Sequence, residues 1–255
     1  MSSVEYEVAG ALARVRLNRP DKNNALSEEM IGELTRTLSD ADNNPNVWAI
    51  VLSAEGKNFC AGGDLDDFLT ARDQPLEQGY QDIAPSMALF ALGFQLRTPV
   101  IASVQGAARG GGVGLVALAH LVVAEPTATF ALPEVQLGLF PFGIFPLLSR
   151  VMGPRRSLEL ALLGRTIDAE EGRTYGLVHQ ISGDCLQHAE DMGQMLASRS
   201  RLAVATGLQA YNHLTDPGAW PFDYLGLLRQ LTFKSDALGH NVQKFLARHK
   251  SGPKT

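Results

Sequence analysis

The stretch that most constrains this chain is PVIASVQGAARGGGVG, residues 99–114. Residues 99–104 predict a short buried strand: apolar, β-branched at Val100, Ile101 and Val104, with proline only at the first position, where no ladder bond is lost. A turn at Gly106 follows, then three adjacent glycines, Gly110 to Gly112, then an alanine-rich apolar run, 113–119, that predicts a buried helix. Three glycines lose much backbone entropy on ordering and are a poor way to begin a helix for its own sake. Two uses justify them. Either the helix packs against a sheet too closely for side chains, or something approaches the main chain to meet free N–H groups. The first amides of a helix lack internal partners and lie at the positive end of its dipole, which suits an anion or a developing oxyanion.

At 255 residues, 45% apolar and 19% charged, the chain can bury a sizeable core as one large domain or a domain with an appendage. Its net charge of −5 supplies no basic field for nucleic acid or an anionic membrane, so an anionic ligand has to be held locally. Cys60 and Cys185 stand in no metal-type spacing and predict neither a disulfide framework nor a zinc site. The opening MSSVEYEVAG carries acids and no apolar run, unlike a signal peptide. The apolar run 113–124 is too short for a membrane span and contains His120. The expectation is a cytosolic, reduced protein.

Along the chain, rough alternation over 6–17, broken at Gly10-Ala11, predicts a hairpin. Residues 18–24 are a loop by composition. Ser27 is a helix N-cap, with Glu28 and Glu29 in the first turn and Ile31, Leu34, Leu38 and Ala41 as the apolar face. Residues 48–52 predict a buried strand, 66–82 a flexible polar region and 83–97 a helix. Strand, loop, helix is then repeated as strand, Gly-rich turn, helix. Strands at 121–124 and 129–132 begin a third unit, so the pattern is of repeated β-β-α turns in one core. Helices follow at 156–163 and, from a capping box at Asp168, up to Gly176, then a strand at 177–181. Beyond about 186 only helices are predicted, at 186–199, 202–214 and 223–247. That change divides the chain into a mixed core, 1–185, and a helical region, 186–255, of the kind that packs on another subunit.

Three pieces carry chemistry: FCAGGDL (59–65), ARGGGVG (108–114) and FALPEVQLGLFP (130–141). Two Gly-rich loops can each aim one amide at a single oxygen, the geometry that stabilises an enolate or tetrahedral oxyanion. Glu134 lies among Leu132, Pro133, Val135 and Leu137, a setting expected to raise its pKa and make it a proton carrier near neutrality. Asp64 reads as a loop-stabilising carboxylate. Arg109 faces either a bound ligand or a salt bridge, and His120 is a structural histidine.

In order, NRPDKNNALS (18–27), these three pieces, the strand before the second, GRTIDAEEGRTYGLV (164–178) and FKSDALGHNVQKFLARHK (233–250) resemble the crotonase, or enoyl-CoA hydratase/isomerase, superfamily over nearly the whole length. The resemblance implies an α/β spiral of β-β-α turns with a helical C-terminal trimerisation region, in a homotrimer or dimer of trimers. It implies an acyl-CoA thioester as substrate, with no separate cofactor, metal, nucleic acid or membrane partner. The thioester carbonyl is expected between the amides of Gly63 and Gly111, with Glu134 as acid/base. Ala25, Leu26 and Ala61 are expected at the adenine, Asp64 and Leu65 beside it, Phe142 with Phe140 and Phe145 at the acyl group, and Phe233 of a neighbouring subunit over the CoA.

Departures from the family pattern bear on mechanism. The hydratases' first glutamate falls on Gly114 here, and Phe142 stands where glycine, or the aspartate of dienoyl-CoA isomerases, is usual. The function expected is an enoyl-CoA hydratase working with a single glutamate. A Δ3–Δ2-enoyl-CoA isomerase and a catalytically impaired acyl-CoA-binding scaffold are the alternatives. A nicotinamide dehydrogenase ranks below them, because Gly110, Gly112 and Gly114 do not give G-x-G-x-x-G.

Overall fold

The computed structural model describes residues 2–215 and, further on, Gly226, Gln230, Lys234, Leu238, Gly239, 242–244, Leu246 and Ala247. The chain opens on an antiparallel hairpin, β1 (Val4–Ala9) and β2 (Leu12–Leu17). Ser27 then caps α1 (Glu28–Asn43), its hydroxyl accepting the Met30 N–H at 3.3 Å. The buried face of α1 is Met30, Leu34, Leu38 and Ala41, with Ile31 only half-buried beside it. The chain returns in β3 (Ala49–Ala54), parallel to β2 with Leu12 opposite Ala49.

Each later turn repeats one plan. After β3 the chain makes two isolated parallel bridges, Cys60 to Ala108 and Gly63 to Leu26, before α2 (Leu65–Asp73) and α3 (Leu76–Ala91). Next, β4 (Val100–Val104) is followed by β5 (Ala107–Arg109) and α4 (Gly111–Leu118). Then β6 (Leu121–Ala124) leads to β7 (Thr129–Ala131), α5 (Phe145–Met152) and α6 (Pro154–Leu163). The chain continues through β8 (Thr166–Asp168), α7 (Ala169–Tyr175), β9 (Gln180–Ile181), α8 (Cys185–Ala197) and α9 (Arg201–Thr215). One sheet runs β1-β2-β3-β4-β6-β9 and the other β5-β7-β8. Each turn of the spiral therefore lays one strand in the large sheet and the next in the small one. β4 is buried at every residue, as a parallel strand covered on both faces must be.

α8 supplies one cover, setting Cys185 and Ala189 against Leu12, Ala49, Val51, Ile101 and Val123. Most of the other apolar side chains, from α1 to α7, fill the opposite side.

Several elements differ from the sequence expectation. Residues 66–82, expected to be flexible, are helical apart from Gln74 and Pro75 between α2 and α3. Asp64 caps α2, and Leu65, Phe68, Leu69 and Ala71 pack against Leu139, Leu238 and Val242, partners distant in sequence. The helix expected at 83–97 begins earlier, carries Pro85 inside it and ends at Ala91. α5 has no counterpart in the sequence reading, and the strand expected over 177–181 shortens to Gln180–Ile181. Most of the helix expected at 223–247, and Phe233 with it, lies outside the described residues.

Candidate active site

The NRPDKNNALS loop is built around Asn24, which is fully buried in the left-handed region at φ 54°. Asparagine tolerates that conformation and still brings a full amide to pair. Its Nδ2 donates to the carbonyls of Glu55 at 2.8 Å and Asn58 at 3.0 Å, and its Oδ1 accepts the Arg19 N–H at 2.8 Å. The loop is laced to the next motif by Ala61 N–H to Asn23 O at 2.9 Å, Leu26 N–H to Gly62 O at 2.7 Å and Asp64 N–H to Leu26 O at 3.1 Å. Arg19 completes the lacing, donating to Ala25 O at 2.8 Å and to Asp64 Oδ2 at 3.0 Å. Asp64 also accepts the Asp66 N–H at 3.1 Å, so its carboxylate holds loop and helix cap together.

This lacing aims the Gly63 amide. The two halves of a trans peptide point in opposite directions, so a Gly62 carbonyl directed at Leu26 turns the Gly63 N–H the other way. The same rule acts at α4. The Gly110 carbonyl points into the helix and accepts the Gly114 N–H at 3.1 Å, which turns the Gly111 N–H outward from the helix N-terminus. Neither amide has a hydrogen-bond partner among the described residues. A Cβ built on Gly111 would lie 3.9 Å from the Gly63 nitrogen. By standard bond lengths the two nitrogens are therefore within about 6.5 Å of each other. One oxygen can sit between donors so spaced.

The three glycines each answer to a different neighbour. Gly110 has φ +48°, and a Cβ there would stand 2.8 Å from Glu134 Oε1. The carboxylate thus lies directly over the main chain that turns into α4. At Gly111 a Cβ would meet Leu26 Cδ1 at 2.9 Å, and at Gly112 it would meet the Cys60 Cβ at 2.8 Å. Close packing, one of the two uses inferred from the sequence, accounts for all three.

Gly63, Gly111, Glu134, Ala25, Leu26, Ala61, Asp64, Leu65 and Phe142 all line one cavity of about 780 Å3. Ile83, Met87 and Phe90 of α3, with Phe140, Phe142 and Ile144, supply apolar wall to it. Phe140 and Phe142 are 5.0 Å apart between ring centroids. Phe145, expected beside them, instead stacks on Phe140 at 5.2 Å without lining the cavity, because it has already entered α5. Behind the wall, a side chain on Gly114 would run into Ile144 Cγ2 and lie 2.8 Å from Phe90 Cε1. That position has no room for a second acid.

Arg109 lines the cavity and makes no salt bridge among the described residues. Its guanidinium donates to Thr129 O at 2.7 Å, Thr129 Oγ1 at 3.0 Å and Ala108 O at 2.9 Å, tying β5 to β7. Burial lowers its pKa. Asp67 also lines the cavity, its pKa raised by burial although it accepts the Glu28 N–H at 3.3 Å. Cys60 is fully buried, and burial pushes its thiol up to about 12. Among the described residues no group of three His, Cys, Asp or Glu side chains is placed to hold a metal, and no helix is long and apolar enough to cross a membrane.

The sequence reading did not single out Arg19, Asn24 or Cys60. An asparagine pair inside a loop is a signal for left-handed backbone and was available for Asn24. Nothing local marks Arg19 or Cys60, since Asp64 on the one and Ala107 and Arg109 on the other come from other turns of the spiral.

Against known proteins, the enoyl-CoA hydratase/isomerase family model matches residues 7–244. A probable enoyl-CoA hydratase of Mycobacterium leprae is 34% identical over 206 residues, 78% of this chain and 76% of that protein. The crystal structure of an enoyl-CoA hydratase/isomerase from Mycobacterium paratuberculosis superimposes with a TM-score of 0.90 at 25% identity, covering 96% of this chain and 98% of that one. One from Acinetobacter baumannii, described as a putative enoyl-CoA hydratase/isomerase, gives 0.85 at 28% identity over 96% and 99%. With the spiral and the cavity in place, these matches make the chain an enzyme of the enoyl-CoA hydratase/isomerase, or crotonase, family.

Proposed function

We propose that this chain is an enoyl-CoA hydratase that uses one carboxylate, Glu134, as both base and acid. The observation that supports it is the meeting of two outward amides, Gly63 and Gly111, with the Glu134 carboxylate over Gly110 in one cavity. The thioester oxygen sits between the amides, where the positive end of α4 favours the negative charge that develops on it. Glu134 takes a proton from water as the water oxygen bonds to C3. The C2=C3 electrons move to the thioester oxygen, and the resulting enolate takes the proton back from Glu134 at C2. Water is thereby added across the double bond and the carboxylate is restored. In this reading CoA belongs to the substrate, Ala25, Leu26 and Ala61 hold its adenine, Asp64 and Leu65 lie next to it, and Phe142 meets the acyl group. Phe233 of a neighbouring subunit, in a cytosolic trimer or dimer of trimers built through 186–255, completes the cover.

A second reading, the Δ3–Δ2-enoyl-CoA isomerase, is favoured by the apolar packing of Ile144 and Phe90 at Gly114. There Glu134 removes a proton from C2 of a 3-enoyl thioester and returns it at C4, and no water is needed. The test is loss of the enoyl-thioester absorbance with crotonyl-CoA, and its gain from a 3-enoyl-CoA, in wild type and Glu134→Gln. Hydration by wild type, slowed about 100-fold or more in the variant, supports the first reading. Turnover of the 3-enoyl-CoA alone moves the assignment to the isomerase. Binding without turnover of either leaves an acyl-CoA scaffold.

A further inference from the structure

Ile83, Met87 and Phe90 follow one another at helical spacing along one face of α3, and all three line the cavity while at most 7% exposed. Phe90 reaches furthest toward the amides. Its ring is set among three glycines, two on α4 and one in the turn before α5. The tip, Cζ, lies 3.7 Å from where a Cβ on Gly111 would stand, and Cε1 lies 2.8 Å from one on Gly114. On the opposite edge of the ring, Cδ2 lies 3.9 Å from a Cβ built on Gly143. One aromatic side chain thus fills the corner between the second amide-bearing residue, the α4 main chain and the 143 turn.

The corner is closed from behind. A Cβ on Gly114 would run into Ile144 Cγ2, and one on Gly143 would run into Met87 Cε. Phe90 and Ile144 also belong to the main hydrophobic core, so the wall is backed by packed side chains. On the near side, Leu26 Cδ1 lies 2.9 Å from the same Gly111 position, and Leu26 belongs to the loop read above as holding CoA. With CoA arriving along that loop and the thioester oxygen between the amides, the acyl chain leads away toward α3. A few carbons bring it against the Phe90 ring.

We infer that Phe90, supported by Met87 and Ile144, is the specificity-determining residue of this site, ending the acyl pocket beside Gly111 so that the substrate is a short-chain acyl-CoA of crotonyl or butyryl size. This rests on the reading of the amides and the CoA loop given above. An open apolar channel rewards each added methylene with about fourfold in affinity. A wall of close-packed side chains turns the same methylene into a steric cost.

Calorimetric titration with butyryl-CoA and octanoyl-CoA tests it without requiring turnover, in wild type, Phe90→Ala and Phe90→Leu, each with its thermal midpoint. Wild type is expected to bind octanoyl-CoA at least about tenfold more weakly than butyryl-CoA. Phe90→Ala opens the corner and should move that ratio toward octanoyl-CoA by about tenfold or more. Phe90→Leu should move it the same way by less, and it carries the comparison if the midpoint shows Phe90→Ala unfolded. Wild type binding octanoyl-CoA as well as butyryl-CoA, or better, would overturn the inference. So would a folded variant of either kind whose ratio stays at the wild-type value. If wild type binds neither acyl-CoA, the reading of the site itself fails and the inference with it. If crotonyl-CoA is turned over and Glu134→Gln abolishes this, while octanoyl-CoA binds wild type as well as butyryl-CoA does, only the inference is lost.

Discussion

The Cγ2 methyl of Ile144 occupies the space that a side chain on Gly114 would need, and Phe90 Cε1 closes the same space at 2.8 Å. Gly114 closes the first turn of α4, and Ile144 precedes α5, so the Ile144 side chain packs directly on the α4 main chain. Gly114→Ala is therefore expected to destabilise the protein by about 1–3 kcal/mol through overpacking, despite alanine's better helix propensity. Adding Ile144→Ala should relieve much of that cost. Urea midpoints of the wild type, both single variants and the double variant check it. A Gly114→Ala midpoint at or above wild type would mean the neighbours yield freely.

Gly110 combines a left-handed-side backbone with a carboxylate over its Cα. Gly110→Ala is expected to cost about 1–2 kcal/mol for the conformation alone. Its methyl would also displace Glu134, whose Oε1 stands 2.8 Å from the new Cβ. Turnover should fall further than in a variant of equal stability loss elsewhere. Parallel measurement of thermal midpoint and kcat separates the two, and a kcat that simply tracks unfolding would count against Glu134 being held there.

The Arg19–Asp64 pair, side chains 24% and 11% exposed, ties the first motif to the second. Arg19→Met and Asp64→Leu are each expected to raise KM for the acyl-CoA, since Ala25, Leu26 and Ala61 lose a common support. A double-mutant cycle on stability should return a coupling of about 1–2 kcal/mol. A coupling near zero would show that the backbone lacing alone carries the loop.

His120 accepts the Val100 N–H on Nδ1 at 3.0 Å, while its own N–H donates to Val100 O at 2.8 Å. His179 repeats the arrangement on Val122, at 3.1 and 3.0 Å, one strand further along the sheet. Burial, helped by nearby Arg150 and opposed by Asp42, lowers the His120 pKa to about 4. Below the usual 6.5 the unfolded chain takes up a proton that the folded chain refuses. Stability should therefore fall as pH drops from 6.5 toward 4 and then level off, by about 3 kcal/mol in all for this one group. Urea unfolding across that range, in wild type and His120→Gln, measures it. The variant should show a shallower slope, and identical slopes would remove His120 as the source.

Much of the spiral was legible because its determinants are local. The hairpin turn at Gly10, the Ser27 and Asp168 caps, and the glycines that end α6 and α7 act through their own few neighbours. The family resemblance read from the motifs agrees with the family match and the superposed structures. Residues 66–82 misled because α2 has little periodicity of its own and gains its apolar partners from Leu139, Leu238 and Val242. Phe145 misled because adjacency to Phe140 and Phe142 says nothing about where the helix begins.

The sequence by itself determined the strand–glycine–helix plan, the absence of a second glutamate at position 114, and which residue types were available to hold an oxyanion. Those are matters of covalent identity and local backbone freedom. Only the tertiary structure decided that Gly63 and Gly111 line one cavity, that Ile144 packs against Gly114, and that Cys60 in the first loop bonds to β5 before the second. Each joins residues that are neighbours only after the chain has wound once around the sheet, and main-chain hydrogen bonds between turns carry no signature in side-chain order.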